Sequence, residues 1–165
     1  MNLETLVKKY ELLPHPEGGY YREVYRSSDS IPNLEGFEGE RNYLTSIYFL
    51  LTSENFSAFH RINQDELWNY HAGSNLYVHC IYPDGKYERV EIGLDGDAVP
   101  QFVVPKGIWF ASSVKEEDAF SFVGCAVAPG FDFRDFELAD RDELVKEYPG
   151  LEEVIRRYTR LTTNG

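Results

Sequence analysis

Apolar and polar residues alternate along most of the chain, in short runs separated by turn residues. Alternation with a period of two is typical of β-strands that bury one face. The clearest runs are YYREVYRS (20–27), YLTSIYFLL (43–51), LYVHCIY (76–82) and AFSFVGCAVA (119–128). PDG, at residues 83–85, lies between two alternating runs and predicts a hairpin turn. The pattern as a whole predicts about nine short strands in a sandwich or small barrel.

The two ends of the chain have a helical period instead. Asn2 is a candidate cap for a short helix over about Leu3 to Tyr10, which the prolines and glycines of LPHPEGG (13–19) end. Near the C-terminus, Asp140 is a candidate cap for one helical piece, and Pro149 begins a second. Because no repeat or linker divides it, the chain is expected to form a single domain over residues 1–165.

The charge and composition limit the partners. A net charge of -12 argues against binding to nucleic acid or to an anionic membrane surface. The N-terminal residues do not have the pattern of a signal peptide, and no apolar run reaches roughly 18 residues, so we expect a cytoplasmic protein. Cys80 and Cys125 lie in apolar runs and are expected to be buried free thiols. In FDFRDFEL (131–138), an aromatic-rich run predicted as a strand, Asp132, Asp135 and Glu137 are expected to face solvent.

Two segments resemble the paired motifs of the cupin superfamily. In FHRINQDELWNYHAG (59–73), His60, Glu66 and Gly73 stand at the spacing of the first motif, and VPKGIWF (104–110) carries the Pro-x-Gly of the second. Longer runs, including PHPEGGYYREVYRS and GCAVAPGFDFRDFELADRDEL, are similar to the uncharacterised fifth Cupin domain family over nearly the whole chain. The resemblance implies an all-β fold, a double-stranded β-helix (cupin jelly roll) with a short N-terminal helix and C-terminal helices around a small cavity.

The same resemblance leaves the metal site of cupins incomplete. Ile62 occupies the place of the second histidine of the first motif, and Phe110 the place of the histidine of the second. Catalytic metals usually have at least three protein ligands, and the motifs supply only His60 and Glu66. A further ligand would have to come from elsewhere, such as His79 or His71. We therefore expect no metal cofactor, with a divalent ion on His60 and Glu66 as the alternative.

A histidine and a carboxylate can transfer protons without a metal. A carboxylate near an imidazole fixes its tautomer and raises its pKa, so Glu66 is expected to orient His60 as a general base. The candidate acid is Tyr48, with Tyr70 and Tyr77 as alternatives. The arrangement resembles dTDP-4-dehydrorhamnose 3,5-epimerase, a metal-free cupin-like jelly roll, at the level of the fold and without a shared catalytic motif.

Cations and aromatic residues in the matched segments are the candidates for ligand binding. Arg22 and Arg26 are spaced i, i+4 on one predicted strand, so they are expected to share a face and hold a carboxylate or phosphate. Pairing with surface carboxylates is the alternative. Trp68 and Trp109 would stack on sugar rings or bases, or pack in the core. The predicted binding residues are Arg22, Arg26, Trp68, Tyr70, His79, Trp109 and Phe110.

Three functions are compatible with this pattern. The first is a metal-free epimerase or isomerase acting on a small polar metabolite, such as a sugar or sugar nucleotide. The second is a divalent-metal enzyme, and the third is a non-catalytic module that binds a small molecule in the same cavity. Because an unpaired aromatic strand such as YYREVYRS (20–27) is prone to pair with another chain, we also expect a homodimer that covers this edge.

Overall fold

The structure, a computed structural model, describes residues 2–161. The strands are β1 (Leu13–Pro14), β2 (Tyr20–Arg26), β3 (Ser30–Ile31), β4 (Arg41–Asn42), β5 (Thr45–Thr52), β6 (Phe56–Arg61), β7 (Asp65–Gly73), β8 (Leu76–Ile81), β9 (Tyr87–Ile92), β10 (Gln101–Val104), β11 (Trp109–Val114), β12 (Phe120–Ala128) and β13 (Glu137–Leu138). The helices are α1 (Leu3–Lys9), α2 (Arg141–Glu147) and α3 (Glu152–Arg157), with 3-10 turns at Phe133–Asp135 and Pro149–Leu151. Within this part of the chain, no helix is long and apolar enough to cross a membrane.

Two antiparallel sheets enclose the main core. One has six strands in the order β1-β2-β5-β12-β7-β10, the other five in the order β13-β6-β11-β8-β9, and β3 pairs with β4 separately. Apolar side chains from both sheets fill the space between them, among them Phe49, Trp68, Val78 and Val123. Crossovers between non-consecutive strands in both sheets produce the predicted cupin jelly roll.

Helices cover the outer faces of both sheets. On the six-stranded sheet, Leu6 of α1 packs against Leu50 and Phe122. On the five-stranded sheet, Leu144 of α2 and Ile155 of α3 belong to a second outer cluster. Each sheet therefore buries apolar residues on both faces, which explains why runs such as AFSFVGCAVA contain few charged residues.

The helix ends follow the predicted signals. The side chain of Asn2 accepts a hydrogen bond from the Thr5 N–H at 2.8 Å and caps α1. Asp140 accepts one from the Glu143 N–H at 3.0 Å and caps α2. Pro149 opens the 3-10 turn that leads into α3. These short-range contacts involve residues three positions apart, so local sequence is sufficient to specify them.

Both cysteines are buried free thiols, as predicted. Burial raises the pKa of Cys80 to about 12 and raises that of Cys125 well above its usual value. Neither thiol is ionised near neutral pH, so neither is activated as a nucleophile.

The segment FDFRDFEL differs from its predicted strand. The side chain of Asp132 accepts the N–H of Arg134 at 2.9 Å, and this bond starts the 3-10 turn at Phe133–Asp135. Residues 129–136 thereby form a loop, called here the aromatic loop, across one end of the barrel. Its aromatic side chains at that end are Phe131, Phe133 and Phe136.

Candidate functional site

One cavity opens inside the barrel beneath the aromatic loop. Its volume is about 460 Å³, which suits a small metabolite. Its polar lining includes His60 from β6, Glu66 from β7 and Arg26 from β2, while Ile62 and the three phenylalanines of the loop supply apolar walls. His60, Ile62 and Glu66 therefore lie in the cavity wall, where the motif spacing put them.

His60 is held in one orientation by its own strand and by two aromatic rings. Phe110 packs against it with the ring centroids 4.2 Å apart, and Phe136 of the aromatic loop stacks at 5.3 Å. Its Nδ1 lies 2.7 Å from the carbonyl oxygen of Ala58. Because a carbonyl only accepts, Nδ1 carries the proton and Nε2 is an acceptor. Burial lowers the pKa of His60, so the ring is neutral at neutral pH.

Glu66 is a buried carboxyl group with an unused oxygen. Burial raises its pKa to about 7, and the nearby carboxylate of Glu17 adds to the rise. The nearby indole N–H of Trp68 acts to lower the pKa of Glu66, although its Nε1 is not placed for a hydrogen bond of ordinary geometry. Oε2 of Glu66 is fully buried and has no hydrogen-bond partner within residues 2–161. The carboxyl is therefore partly protonated at neutral pH and able to bond to a ligand.

The prediction that Glu66 orients His60 is wrong. The tautomer of His60 is set by the carbonyl of Ala58, and its ring forms no ion pair with Glu66. The physical reason is that His60 and Glu66 lie on different sheets, whereas Ala58 is two residues earlier on the same strand. The two groups therefore reach the cavity as separate acid–base groups.

Sequence reasoning missed a buried carboxylate beside this pair. Glu17 is almost fully buried, and its charge raises the pKa of both His60 and Glu66. Its Oε2 lies 3.0 Å from Nδ1 of His15, yet it has no hydrogen bond. The Glu17 backbone N–H donates to the same Nδ1 at 3.1 Å, so that nitrogen is an acceptor and has no proton for the carboxylate.

Two glycines place Glu17 against the barrel. Gly18 and Gly19 have φ angles of 113° and 81°, which side chains rarely adopt. A Cβ at Gly18 would lie 2.2 Å from the carbonyl oxygen of Phe56, so the chain can pass β6 only without a side chain there. The signal in the sequence was PEGG, a glutamate followed by paired glycines.

The predicted acid, Tyr48, faces away from the cavity. Its ring packs against Tyr10 of α1 at 5.3 Å and against Phe122 at 5.5 Å, on the outer face of the six-stranded sheet. The preceding residue, Ile47, lines the cavity. Because consecutive residues on a strand face opposite sides, Tyr48 cannot reach the cavity as well.

The other predicted tyrosines are also absent from the cavity lining. The hydroxyl of Tyr70 donates to the Gly73 carbonyl at 2.7 Å, and its ring packs against the inner core. Tyr77 lies on the outer face of the five-stranded sheet with the Arg89 guanidinium over its ring at 4.3 Å. Tyr21 of β2, which was not predicted, is the tyrosine that lines the cavity.

Arg22 and Arg26 do not share a face. A β-bulge between Glu23 and Tyr25 adds one residue to β2 and reverses the alternation beyond it. Arg26 therefore lies at the cavity mouth, where its Nη2 donates to Glu23 at 2.6 Å. Arg22 points outward and pairs with Glu11 at 2.6 Å, which removes it from the predicted binding set.

Of the remaining predicted binding residues, two lie inside the barrel and two outside. Trp68 and Phe110 are buried in the inner core, next to the cavity. Trp109 packs outside, under the guanidinium of Arg61 at 4.2 Å, and His79 is buried on the same outer face. The prediction that Trp109 and His79 contact a ligand in the cavity is wrong, because strand alternation turns their neighbours Phe110 and Cys80 into the barrel and turns Trp109 and His79 out of it.

The residues at the four cupin ligand positions do not fit a metal. His60 and Glu66 supply two donors, while Ile62 and Phe110 supply hydrocarbon, and the ring of Phe110 packs directly on that of His60. The histidines of β7 and β8 face outward. Residues 2–161 contain no group of three His, Cys, Asp or Glu side chains placed to hold an ion.

Known proteins of similar sequence cover nearly the whole chain. A family model described as Cupin superfamily (DUF985) matches residues 4–139. The uncharacterised protein YML079W of Saccharomyces cerevisiae is 31% identical over an alignment of 165 positions. The alignment covers 92% of this chain and 82% of that protein.

Solved structures of similar fold also cover nearly the whole chain. Protein SO0799 from Shewanella oneidensis has a TM-score of 0.89 at 40% identity, covering 98% of this chain and 99% of its own. A hypothetical protein from Leishmania major has a TM-score of 0.90 at 40% identity, covering 96% and 99%. A variant of Bacillus subtilis oxalate decarboxylase, at 15% identity and a TM-score of 0.56, matches 92% of this chain and 40% of its own and shows the fold alone. The names of the three more similar proteins state no activity, so function has to be argued from the site.

Proposed function

Since the chain belongs to the Cupin superfamily (DUF985) family, and its barrel encloses a cavity lined in part by His60 and Glu66, we propose that it binds a small polar metabolite there and acts as an epimerase or isomerase. The reaction is the transfer of a proton at a carbon next to a carbonyl group, without a metal. His60 is the base and Glu66 the acid.

One geometric observation carries the proposal. Nδ1 of His60 is committed to the Ala58 carbonyl, which leaves Nε2 as an acceptor, while Glu66 has a buried oxygen without a partner in the same cavity. The opposite pKa shifts of the two groups agree with these roles. Burial lowers the pKa of His60 and raises that of Glu66 to about 7, so a neutral base and a partly protonated acid coexist near neutral pH.

The first proton transfers of the reaction use these two side chains. Nε2 of His60 takes the proton from carbon, the C–H electron pair forms the carbon–carbon double bond of an enol, and Glu66 gives its proton to the carbonyl oxygen. In an isomerisation, His60 returns the proton to the former carbonyl carbon, and the hydroxyl on the first carbon gives its proton to Glu66 and becomes the new carbonyl, which restores both groups. In an epimerisation, a solvent proton enters the opposite face of the first carbon, His60 releases its proton to solvent, and the enol hydroxyl returns its proton to Glu66. Burial lowers the pKa of His60, and the charge of Glu17 offsets part of that lowering and so favours the transient imidazolium.

The aromatic loop and the mouth of the cavity support binding. Phe136 stacks on His60 and excludes water from the base, which strengthens the electrostatic effects inside. Arg26, at the mouth, pairs with Glu23, and a carboxylate or phosphate of the metabolite would take the place of Glu23 on its guanidinium. The loss of Arg22 from the site leaves a single arginine for this role, in place of the predicted pair.

Hydrogen exchange with solvent tests the proposal before the substrate is known. The protein is incubated in D₂O with a panel of keto sugars, sugar phosphates and keto acids, and deuterium entry at carbon is followed by NMR. We expect exchange in at least one compound, with a loss of about 10² or more in His60→Gln and in Glu66→Gln. Tyr48→Phe, which changes a hydroxyl on the outer face, should exchange like the wild type.

Two results would contradict parts of the proposal. Binding of a panel compound without any exchange would make the protein a binding module. Exchange that is abolished by EDTA and restored by one particular divalent ion would make it a metal enzyme.

A further inference from the structure

A second group of polar side chains lies on the outer face of the five-stranded sheet, away from the cavity. Two adjoining depressions of about 320 Å³ each lie there beneath α3, and they share Arg89, Arg157, His79 and Tyr158. The continuous depression is called here the arginine groove.

Two arginines of the groove differ from the others in the described part of the chain. Arg22, Arg26, Arg41, Arg61, Arg134, Arg141, Arg156 and Arg160 each donate hydrogen bonds or form ion pairs. Within residues 2–161, Arg89 and Arg157 do neither, although the chain has a net charge of -12. Arg89 lies over the ring of Tyr77 at 4.3 Å, and Arg157 lies 5.5 Å from the ring of Tyr158. Both aromatic contacts leave the guanidinium N–H groups available.

A buried network at the base of the groove adds a neutral donor. Nδ1 of His79 lies 2.7 Å from the Tyr87 hydroxyl, and its Nε2 lies 2.8 Å from the Ser113 hydroxyl. A neutral imidazole has one N–H and one acceptor, so one hydroxyl donates to it and the other accepts from it. In either tautomer, the accepting hydroxyl keeps its own hydrogen free, and both hydroxyls line the groove.

A neutral His79 leaves one of the two hydroxyls as a free donor. Burial, together with the charges of Arg89 and Arg157, lowers the pKa of His79 to about 4, so the ring is neutral at neutral pH. The same effect shows that both guanidinium groups act on the base of the groove. Two carboxylates, Glu54 and Glu153, also line it, but neither pairs with an arginine.

We propose that the arginine groove is a binding site for an oxyanion group of a small molecule, a phosphate or a carboxylate, held by Arg89, Arg157 and the free hydroxyl of Tyr87 or Ser113. Guanidinium groups bind such anions by charge-assisted hydrogen bonds. Two guanidinium groups without a protein partner gain more from a bound anion than groups that are already paired. The site is separate from the cavity and does not depend on the function proposed for it.

Calorimetric titration with two probes, inorganic phosphate and malonate, tests this site at low ionic strength, where screening is weak. We expect saturable binding of at least one probe to the wild type. Tighter binding of phosphate would identify the ligand group as a phosphate ester, and tighter binding of malonate as a carboxylate. Arg89→Gln and Arg157→Gln should each weaken binding by about tenfold or more.

The neighbouring Arg156 gives the matched control. It is exposed on the same helix and pairs with Glu152 at 2.8 Å, so Arg156→Gln makes the same change in charge outside the groove. We expect Arg156→Gln and the cavity variant His60→Gln to bind like the wild type. Absence of saturable binding of both probes to the wild type, or an equal loss in Arg156→Gln, would overturn the proposal.

Discussion

Glu66 connects the chemistry of the cavity to the stability of the protein. Its pKa rises from 4.5 to about 7 on folding, chiefly through burial. Between these values the unfolded chain has lost the proton while the folded chain keeps it, so the stability of the fold decreases as pH rises through this window. The buried His60, with its lowered pKa, acts in the opposite direction, since stability is lost as pH falls below the ordinary value of histidine.

Glu66→Gln should remove the first of these two effects. The amide keeps the shape and the neutral state of the carboxylic acid but cannot ionise. We expect the free energy of unfolding of the variant to rise relative to the wild type by about 3 kcal/mol between about pH 5 and about pH 8. Urea denaturation at several pH values measures the difference. Glu117→Gln, at an exposed position, is the control, and parallel pH curves for Glu66→Gln and the wild type would show that Glu66 is not a buried acid.

Among the elements, the aromatic loop depends on one buried ion pair. Arg41 donates from Nε and Nη2 to the two oxygens of Asp135, each at 2.8 Å, and both side chains are almost fully buried. Gln64 donates to the same carboxylate at 2.8 Å. The expectation that Asp135 faces solvent is wrong, because the 3-10 turn directs it inward. This network holds the aromatic loop, which covers His60, against the barrel.

Asp135→Asn should loosen the loop and destabilise the fold. Because Arg41 would be left as a buried charge without its partner, we expect a loss of about 3–5 kcal/mol in the free energy of unfolding, measured by urea denaturation. Asp132→Asn is the control on the same loop. Asp132 pairs with Arg134 near the surface, so that variant should lose at most about 1 kcal/mol. Equal losses in the two variants would mean that the Arg41 contact does not hold the loop.

At the level of the whole molecule, one edge of the six-stranded sheet is open. β1 pairs with only Tyr20 and Tyr21, which leaves the rest of β2 without a neighbour on that side. Val24 and Tyr25 on this stretch are 41% and 52% exposed. An edge with unpaired backbone groups and exposed apolar residues favours strand addition by a second copy of the chain.

We therefore expect a two-fold dimer joined along β2. Sedimentation velocity should show a dimer at micromolar concentration, and Val24→Lys should shift it toward monomer by placing like charges at the joint. Leu94→Lys changes an exposed leucine, 68% accessible, in the connection after β9 and should leave the dimer intact. A wild type that sediments as a monomer would refute the dimer.

Local pattern was sufficient to predict most of the strands and the helix caps, and the spacing of the cupin motif predicted the inward direction of His60 and Glu66. Strand and helix periods assign side chains to faces within a few residues, and a cap such as Asn2 contacts a residue three positions away. The motif spacing placed His60 and Ile62 on one inner face, because the register shift in β6 lies between Ser57 and His60 and leaves the alternation after His60 intact.

The tertiary structure decided the groups with which those side chains interact. The bulge in β2 reversed the direction of Arg26 relative to Arg22, and one added residue leaves no mark in an alternating pattern. The burial of Glu17 and the convergence of Arg89 and Arg157 both depend on contacts between strands or segments. Such contacts set the burial of each side chain and the charges around it. These two properties determine the chemistry of the cavity and of the groove.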